Sequence, residues 1–83
     1  MYFVYVIQSI GKKRFYTGST EQLEDRMNEH NRSENKSTRY GIPWILVHQE
    51  IFESRSEAVK KENQIKSRGA SRYLHDLGKL DNG

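Results

Sequence analysis

The sequence contains no cysteine, a single proline, and no apolar run long enough to cross a bilayer. Without cysteine, neither a disulfide framework nor a thiolate zinc site is available, and the chain suits a reducing compartment. The basic residues near the N-terminus follow the apolar stretch there, which is the reverse of the order in a signal peptide. We therefore expect a soluble, cytoplasmic protein with no membrane partner.

Apolar residues are also scarce. Of the 83 residues, 34% are hydrophobic and 30% are charged. A chain of this length buries only about 60–65% of the surface that its unfolded form exposes, so each buried apolar side chain matters. We predict one domain over residues 1–78 and a frayed C-terminal tail over residues 79–83.

Basic residues only slightly outnumber acidic residues, but the two kinds are unevenly distributed along the chain. The 14 Lys and Arg residues against 11 Asp and Glu residues give a net charge of +3. Basic residues cluster in residues 12–14 and 60–72, whereas acidic residues crowd residues 21–29. Separated basic clusters favour a polyanion partner, because contact with phosphates releases counterions. The alternative is an ordinary solvated surface.

The first 18 residues have the pattern of a β-hairpin. Residues 2–9 are β-branched and aromatic, with apolar side chains at both alternating positions, which predicts a strand covered on both faces. A turn around Gly11 and a second short strand over residues 14–18 complete the hairpin.

The rest of the chain predicts three helices and one strand. Ser19 and Gln22 have the spacing of a capping box for a helix that ends near residue 31, and Ser54 and Glu57 have the same spacing for a helix that ends near Gly69. Residues 44–52 form the third strand, and residues 71–77 a short third helix. The order β-β-α-β-α-α indicates an α+β fold with one thin sheet, antiparallel or mixed, and helices packed on its faces.

A carboxylate lies on the apolar face of the second capped helix. Glu62 is four residues after Ala58 and three before Ile65, so the three side chains share one face. Burying an unpaired carboxylate destabilises a fold by roughly several kcal/mol, so buried carboxylates have ion-pair partners or bind metal. One interpretation is an ion pair with Arg26 or Lys66; the other is an oxygen ligand for magnesium or manganese.

Further polar residues gather near the predicted core. Arg26 and His30 lie one turn apart on the first helix, where His30 continues an apolar stripe. Tyr5 and Tyr16 belong to neighbouring strands, and Gly18 permits close approach of a ligand or another segment. An arginine can hold a phosphate with two hydrogen bonds, and a neutral imidazole can accept a proton from water. Packing alone explains this combination poorly in so small a core.

These residues resemble the GIY-YIG nuclease superfamily, in particular its small single-domain members. Residues 3–5, FVY, stand where the family has Gly-Ile-Tyr, and residues 16–18, YTG, where it has Tyr-Ile-Gly. The segment LEDRMNEHN is similar to the family's arginine-bearing helix, and PWILVHQEIFESRSEAVKKENQIKS to its third strand and the helix with its metal-binding glutamate. The resemblance extends from about residue 2 to residue 67.

The resemblance implies a three-stranded antiparallel sheet flanked by helices and a divalent-metal-dependent endonuclease that hydrolyses DNA. Glu62 would hold one Mg²⁺ or Mn²⁺ ion, and Arg26 would contact the scissile phosphate. Tyr5, Tyr16 and His30 would position or deprotonate the attacking water, and the general base stays open among them. Branched, nicked or single-stranded DNA and a role in DNA repair are the implied substrates and context.

A nucleic-acid interface is expected around this site. Residues 31–41 form a polar loop that we expect to be mobile and to fold over the substrate. A specific DNA interface would occupy a large share of so small a surface, so a protein partner that supplies specificity is expected. The alternative function is a non-catalytic or partner-dependent nucleic-acid-binding adaptor. The predicted contacts with nucleic acid are Lys12, Lys13, Arg14, Arg39, Tyr40, Lys60, Lys66 and Arg68.

Overall fold

A computed structural model describes residues 1–79 and has the predicted element order. The predicted tail therefore lies outside the described residues, apart from Lys79. The strands are β1 (Tyr2–Ser9), β2 (Phe15–Thr20) and β3 (Trp44–Phe52). The helices are α1 (Leu23–Asn31), α2 (Arg55–Arg68) and α3 (Ala70–Asp76), and a single 3₁₀ turn covers Arg39–Gly41.

The three strands form one antiparallel sheet in the order β2-β1-β3. The central strand β1 is covered on both faces, because Val4, Tyr5, Val6 and Ile7 all have no exposed surface. This confirms the prediction made from its two apolar faces. The register places Tyr5 opposite Gly18 on β2, and this pairing positions the candidate site.

The alternation of β1 divides the core in two. On one face, Val4 and Val6 pack with residues of α2 and α3, among them Ile65 and Leu74. On the other face, Tyr5 packs with Ile7 and Trp44, against the side of α1. The first cluster is aliphatic, whereas the second contains the polar tip of Tyr5. The phenol of Tyr5 therefore lies on the α1 side of the sheet.

The start of α1 differs from the prediction. The helix begins at Leu23 with Gln22 as its N-cap, and the predicted capping box does not form. Instead, Ser19 belongs to β2, and the hydroxyl of Thr20 accepts a hydrogen bond from the Gln22 backbone N–H at 3.0 Å. The hydroxyl of Ser19 donates a hydrogen bond to Glu62 at 2.7 Å.

The predicted start of α2 is confirmed. The Ser54 hydroxyl accepts a hydrogen bond from the Glu57 backbone N–H and donates one to the Glu57 carboxylate. Such a reciprocal cap satisfies backbone groups that the first helical turn leaves unpaired. The helix ends before Gly69, which has a positive φ of 92°. Among the described residues, no helix is both long and apolar enough to cross a membrane.

A second polar network lies on the α2 and α3 side of the sheet. The carboxylate of Glu50 is hydrogen-bonded to His48 Nε2 at 2.8 Å and accepts a hydrogen bond from the hydroxyl of Tyr73. The ammonium of Lys61 lies 3.9 Å away. Partial burial acts to raise the pKa of Glu50, but the hydrogen bonds from His48 and Tyr73 and the Lys61 charge outweigh it and lower the pKa. The network therefore stabilises the ionised carboxylate.

We expect Glu50→Gln to lower the free energy of unfolding at pH 7 by about 1–3 kcal/mol, because hydrogen bonds to a charged group are lost. A carboxyl whose pKa is depressed in the folded state contributes stability above its unfolded pKa, and that stability is lost as the pH falls through the folded value. The difference between wild type and variant should therefore shrink below about pH 4.3.

Urea denaturation across this pH range measures the difference. Glu53→Gln is the control, since Glu53 is exposed and has no side-chain partner within residues 1–79. An equal loss in both variants, or a difference that does not change with pH, would contradict a stabilising role for the Glu50 carboxylate.

Candidate active site

The site is built around the buried phenol of Tyr5, which packs against the backbone of β2. Tyr5 lies directly opposite Gly18, and a Cβ atom added to Gly18 would lie 2.5 Å from the phenol oxygen. Only glycine leaves enough space for this contact. The close approach predicted at Gly18 is therefore made, and the approaching group is the phenol of Tyr5.

Tyr5 is the first member of a buried chain of hydrogen-bonded side chains. Its hydroxyl lies 2.8 Å from His30 Nε2, and His30 Nδ1 lies 2.7 Å from the hydroxyl of Thr38. Tyr5 and His30 have no exposed surface, and Thr38 is 1% exposed. Tyr16 contacts the same imidazole edge-on, with ring centroids 5.2 Å apart, and remains half-buried. Three of the predicted site residues are thus in direct contact.

The electrostatics of the phenol link Tyr5 to the remaining predicted residues. Burial raises the pKa of Tyr5 to about 12, and the neighbouring Tyr16 and Glu62 act in the same direction, whereas the Arg26 guanidinium opposes them. Burial and the charge of Arg26 lower the pKa of His30. At neutral pH, Tyr5 is consequently a phenol and His30 a neutral imidazole.

Glu62 has a partner on each carboxylate oxygen. Ser19 donates to one oxygen at 2.7 Å, and the ammonium of Lys66 donates to the other at 2.6 Å. The side chain is only 16% exposed, so Glu62 lies on the inner side of α2 as its position predicts. The ion pair considered for it is formed with Lys66, whereas Arg26 pairs with Glu29 at 3.3 Å.

An open cleft is lined by Ser19, the hydrogen-bond partner of this carboxylate, and by the arginine of α1. Its volume is about 360 Å³. Ser19 lines the cleft and binds Glu62, while Arg26 and Arg55 supply two positive charges to its wall. Glu21 adds one negative charge. The remaining lining residues are Tyr2, Thr20 and Gln22.

The donor set fits a hard divalent cation that retains much of its water. Within residues 1–79, no three His, Cys, Asp or Glu side chains cluster closely enough to form a metal centre by themselves. Magnesium in enzymes that act on phosphates is commonly bound by one or two carboxylates together with water and substrate oxygens. Glu62 supplies such a carboxylate. Its oxygen already binds one cation, the ammonium group of Lys66.

The predicted nucleic-acid contacts divide into two groups. Arg68 forms a two-pronged ion pair with Asp76, at 2.8 and 2.9 Å, and Lys66 is bound to Glu62, so the charges of both are partly neutralised. The other predicted contacts are exposed, and they comprise Lys12, Lys13 and Arg14 at the hairpin turn, Arg39 and Tyr40 in the 3₁₀ turn, and Lys60 on α2.

The polar loop after α1 is more ordered than its composition suggests. We expected a mobile segment, but its second half forms the 3₁₀ turn and buries Thr38. The indole N–H of Trp44 donates to the Thr38 carbonyl at 2.6 Å, and the Asn31 side chain bonds both the backbone N–H and the carbonyl of Trp44. Tyr40 is 73% exposed, as its predicted stacking role requires.

Sequence reasoning missed Thr38 and Arg55 and gave Ser19 the wrong partner. A threonine in a polar loop carries no signal of burial, because its partner His30 lies on another element. Arg55 begins α2, and only the tertiary fold brings it to the cleft. No local pattern in the sequence could have found these contacts.

The model of the GIY-YIG catalytic domain matches residues 1–74. The chain belongs to the GIY-YIG family. GIY-YIG domains are nuclease domains, and they generally use divalent metal ions. Membership confirms the resemblance drawn from residues 3–5, residues 16–18 and the two later helices.

Relatives in this family include proteins from archaea and bacteria. The chain is 42% identical to a UPF0213 protein of Haloquadratum walsbyi, over 80% of this chain and 74% of that protein. It is 37% identical to a UPF0213 protein of Staphylococcus aureus, over 80% of each chain. The solution NMR structure of a UPF0213 protein from Bacillus halodurans covers all of this chain and 88% of that one, with 29% identity and a TM-score of 0.57. This similarity supports the three-stranded antiparallel GIY-YIG fold.

We expect Gly18→Ala to lower the free energy of unfolding by about 1–3 kcal/mol, because the added methyl group overpacks the phenol of Tyr5. Gly11→Ala is the matched control, since no atom lies within 4 Å of its added Cβ, and its effect should stay within about 0.5 kcal/mol. Chemical denaturation measures both values. Equal stability of the two variants would show that the phenol does not need the space at Gly18.

Proposed function

We propose that this GIY-YIG protein is a divalent-metal-dependent endonuclease that hydrolyses DNA phosphodiester bonds. The observation that carries the proposal is the gathering of Tyr16, Arg26, His30 and Glu62 around the phenol of Tyr5. Tyr5 and Tyr16 both contact His30. The charges of Arg26 and Glu62, together with Tyr16, influence the pKa of Tyr5. An aromatic base, a guanidinium and a carboxylate are groups that can catalyse phosphodiester hydrolysis, and Arg26 lines the cleft.

Exposure favours one of the three candidates for the general base. Tyr5 and His30 have no exposed surface, so a water molecule at the cleft cannot reach them without a rearrangement. Tyr16 is half-buried and therefore accessible. We assign contact with the attacking water to Tyr16, and we treat Tyr5 and His30 as positioning residues that fix the Tyr16 ring through its edge contact with the imidazole.

The reaction follows from these assignments. The oxygen of a water molecule attacks the phosphorus atom while Tyr16, in its phenolate form, orients the water and accepts its proton. The bond from phosphorus to the leaving oxygen breaks, and that oxygen takes a proton from solvent water. Arg26 binds a non-bridging oxygen and stabilises the charge that develops there. A divalent ion held by Glu62 would supply further neutralisation of that charge and would lower the pKa of groups beside it. A free phenol has a pKa near 10, so a phenolic base needs such a field at neutral pH.

The cleft and the exposed basic residues suggest how the substrate lies. Arg26 and Arg55 line the cleft beside Glu62, and the hairpin turn and the 3₁₀ turn present further cations. Contacts of this kind bind the backbone without reading sequence. We therefore propose nicked, branched or single-stranded DNA as substrate, a cytoplasmic role in DNA repair, and a protein partner that supplies specificity.

We expect the purified protein to cleave at least one of these DNA forms with Mg²⁺ or Mn²⁺ and to lose the activity when EDTA is added. Glu62→Gln and Tyr16→Phe should each lower the cleavage rate by about 10²- to 10⁴-fold, the contribution typical of acid–base and charge-stabilising groups. Gel assays with labelled single-stranded, duplex, nicked and forked oligonucleotides measure the rates.

Glu53→Gln is the control for Glu62→Gln, because it removes an exposed carboxylate outside the site. Cleavage that survives both site substitutions would place the chemistry elsewhere or reveal a contaminant. Binding that falls with salt but never leads to cleavage with either metal would reject the nuclease and favour the adaptor function.

The cleft makes a second, independent prediction. Arg55→Ala should weaken the binding of single-stranded DNA and flatten the slope of log Kd against log salt by about 0.7, the value for one lost phosphate contact. Arg72→Ala is the matched control, because Arg72 is exposed on α3 and does not line the cleft. Fluorescence anisotropy at several salt concentrations measures both slopes. Equal slopes for the two variants would remove the cleft from the binding surface.

A further inference from the structure

We propose that Thr38 is a positioning residue that holds His30 in the tautomer protonated on Nδ1, so that Nε2 accepts the proton of the Tyr5 hydroxyl. The effect of Thr38 on cleavage rests on the proposed nuclease function. The tautomer itself is a property of the folded protein, and it can be tested whether or not the protein cleaves DNA.

The geometry leaves the imidazole with one partner on each nitrogen. Nε2 lies 2.8 Å from the Tyr5 hydroxyl, and Nδ1 lies 2.7 Å from the Thr38 hydroxyl. All three side chains are buried, so water does not compete for these hydrogen bonds. A neutral imidazole carries a single N–H, and its position therefore sets the direction of both hydrogen bonds.

Two arrangements satisfy these contacts. In the first, Tyr5 donates to Nε2 and Nδ1–H donates to Thr38; in the second, Thr38 donates to Nδ1 and Nε2–H donates to Tyr5. A phenol is a stronger hydrogen-bond donor than an aliphatic alcohol, whereas the alcohol oxygen is the better acceptor, which favours the first arrangement. The positive charge of Arg26 favours the same direction, because it lowers the pKa of the phenol and so makes the hydroxyl a better proton donor.

Thr38 is itself fixed by contacts that reach beyond the site. Its carbonyl accepts the hydrogen bond from the indole of Trp44 at 2.6 Å. The Asn31 side chain in turn holds the backbone of Trp44 through hydrogen bonds of 2.7 and 3.1 Å. Asn31 directly follows His30 in the chain. The contacts from His30 through Thr38 and Trp44 to Asn31 therefore begin and end on α1. These contacts fix the backbone of Thr38 and so keep its hydroxyl next to the imidazole of His30.

The expected function of this arrangement is to lock the ring orientation of His30, against which Tyr16 packs. Groups that orient a functional imidazole typically alter activity by about 10- to 100-fold when they are removed. Thr38 would thus affect cleavage through His30 and Tyr16, without touching the substrate.

The test measures the imidazole ¹⁵N chemical shifts of His30 in uniformly labelled protein, which distinguish the two neutral tautomers. We expect the Nδ1–H tautomer in the wild type and in Thr38→Ser, and a shift to Nε2–H in Thr38→Val, where Nδ1 has no acceptor. Ser37→Ala is the control, an exposed hydroxyl beside Thr38, and it should leave the spectrum unchanged. Cleavage should fall by about 10- to 100-fold in Thr38→Val and recover in Thr38→Ser.

Each outcome bears on the proposal separately from the nuclease function. An Nε2–H tautomer in the wild type would overturn the proposal without any variant, so a misfolded Thr38→Val does not leave it untested. An Nδ1–H tautomer retained in folded Thr38→Val would overturn it as well. The predicted tautomers in a protein that cleaves no DNA would support the positioning of His30 and refute only the nuclease.

Discussion

The contact between the phenol of Tyr5 and the backbone of Gly18 is the constraint on which the rest of the site depends. The phenol reaches His30 only because β2 lacks a side chain at the position opposite Tyr5. His30 is then fixed from its second nitrogen by Thr38, and Tyr16 packs on its edge. The motifs at residues 3–5 and 16–18 therefore supply the two partners of one contact, Tyr5 and Gly18. Each motif needs the other to form it.

The sequence was sufficient to predict the elements because their signals are local. The two apolar faces of β1 predicted that Val4, Tyr5, Val6 and Ile7 would be covered on both sides, and all four are. Ser54 and Glu57 predicted the start of α2. Of the predicted site residues, the structure brings Tyr5, Tyr16 and His30 into direct contact.

The partners of those residues could not be predicted, because they depend on contacts distant in sequence. Ser19 has the spacing of a helix cap, yet it is bound to a carboxylate 43 residues away. Ser19 lies in β2 rather than at the start of the helix, so its local spacing did not reveal its partner. The hydrogen bond between His30 and Thr38 was likewise not predicted, because Thr38 lies in a polar loop whose composition gives no signal of burial.

The domain places a polar network on each side of one thin sheet. On the α1 side, Tyr5 and His30 occupy positions that a purely stabilising core would give to aliphatic side chains. On the opposite side, Glu50 is kept ionised by His48 and Tyr73. In the described part of the chain, every buried side-chain nitrogen or oxygen atom except His48 Nδ1 has a hydrogen-bond partner. Hydrogen bonding thus compensates for the small apolar content, because buried polar groups destabilise a fold chiefly when they are left unpaired.

The ion pair between Lys66 and Glu62 explains how this carboxylate is held in the fold by the protein's own side chains. Both oxygens of Glu62 are satisfied by the chain itself, one by Ser19 and one by Lys66. The carboxylate consequently needs no external cation in order to be buried. Half of the Lys66 side chain is exposed, so the ammonium meets the carboxylate from the solvent side of α2. The inner face of α2 can therefore keep a charged group in place with contacts from the protein alone.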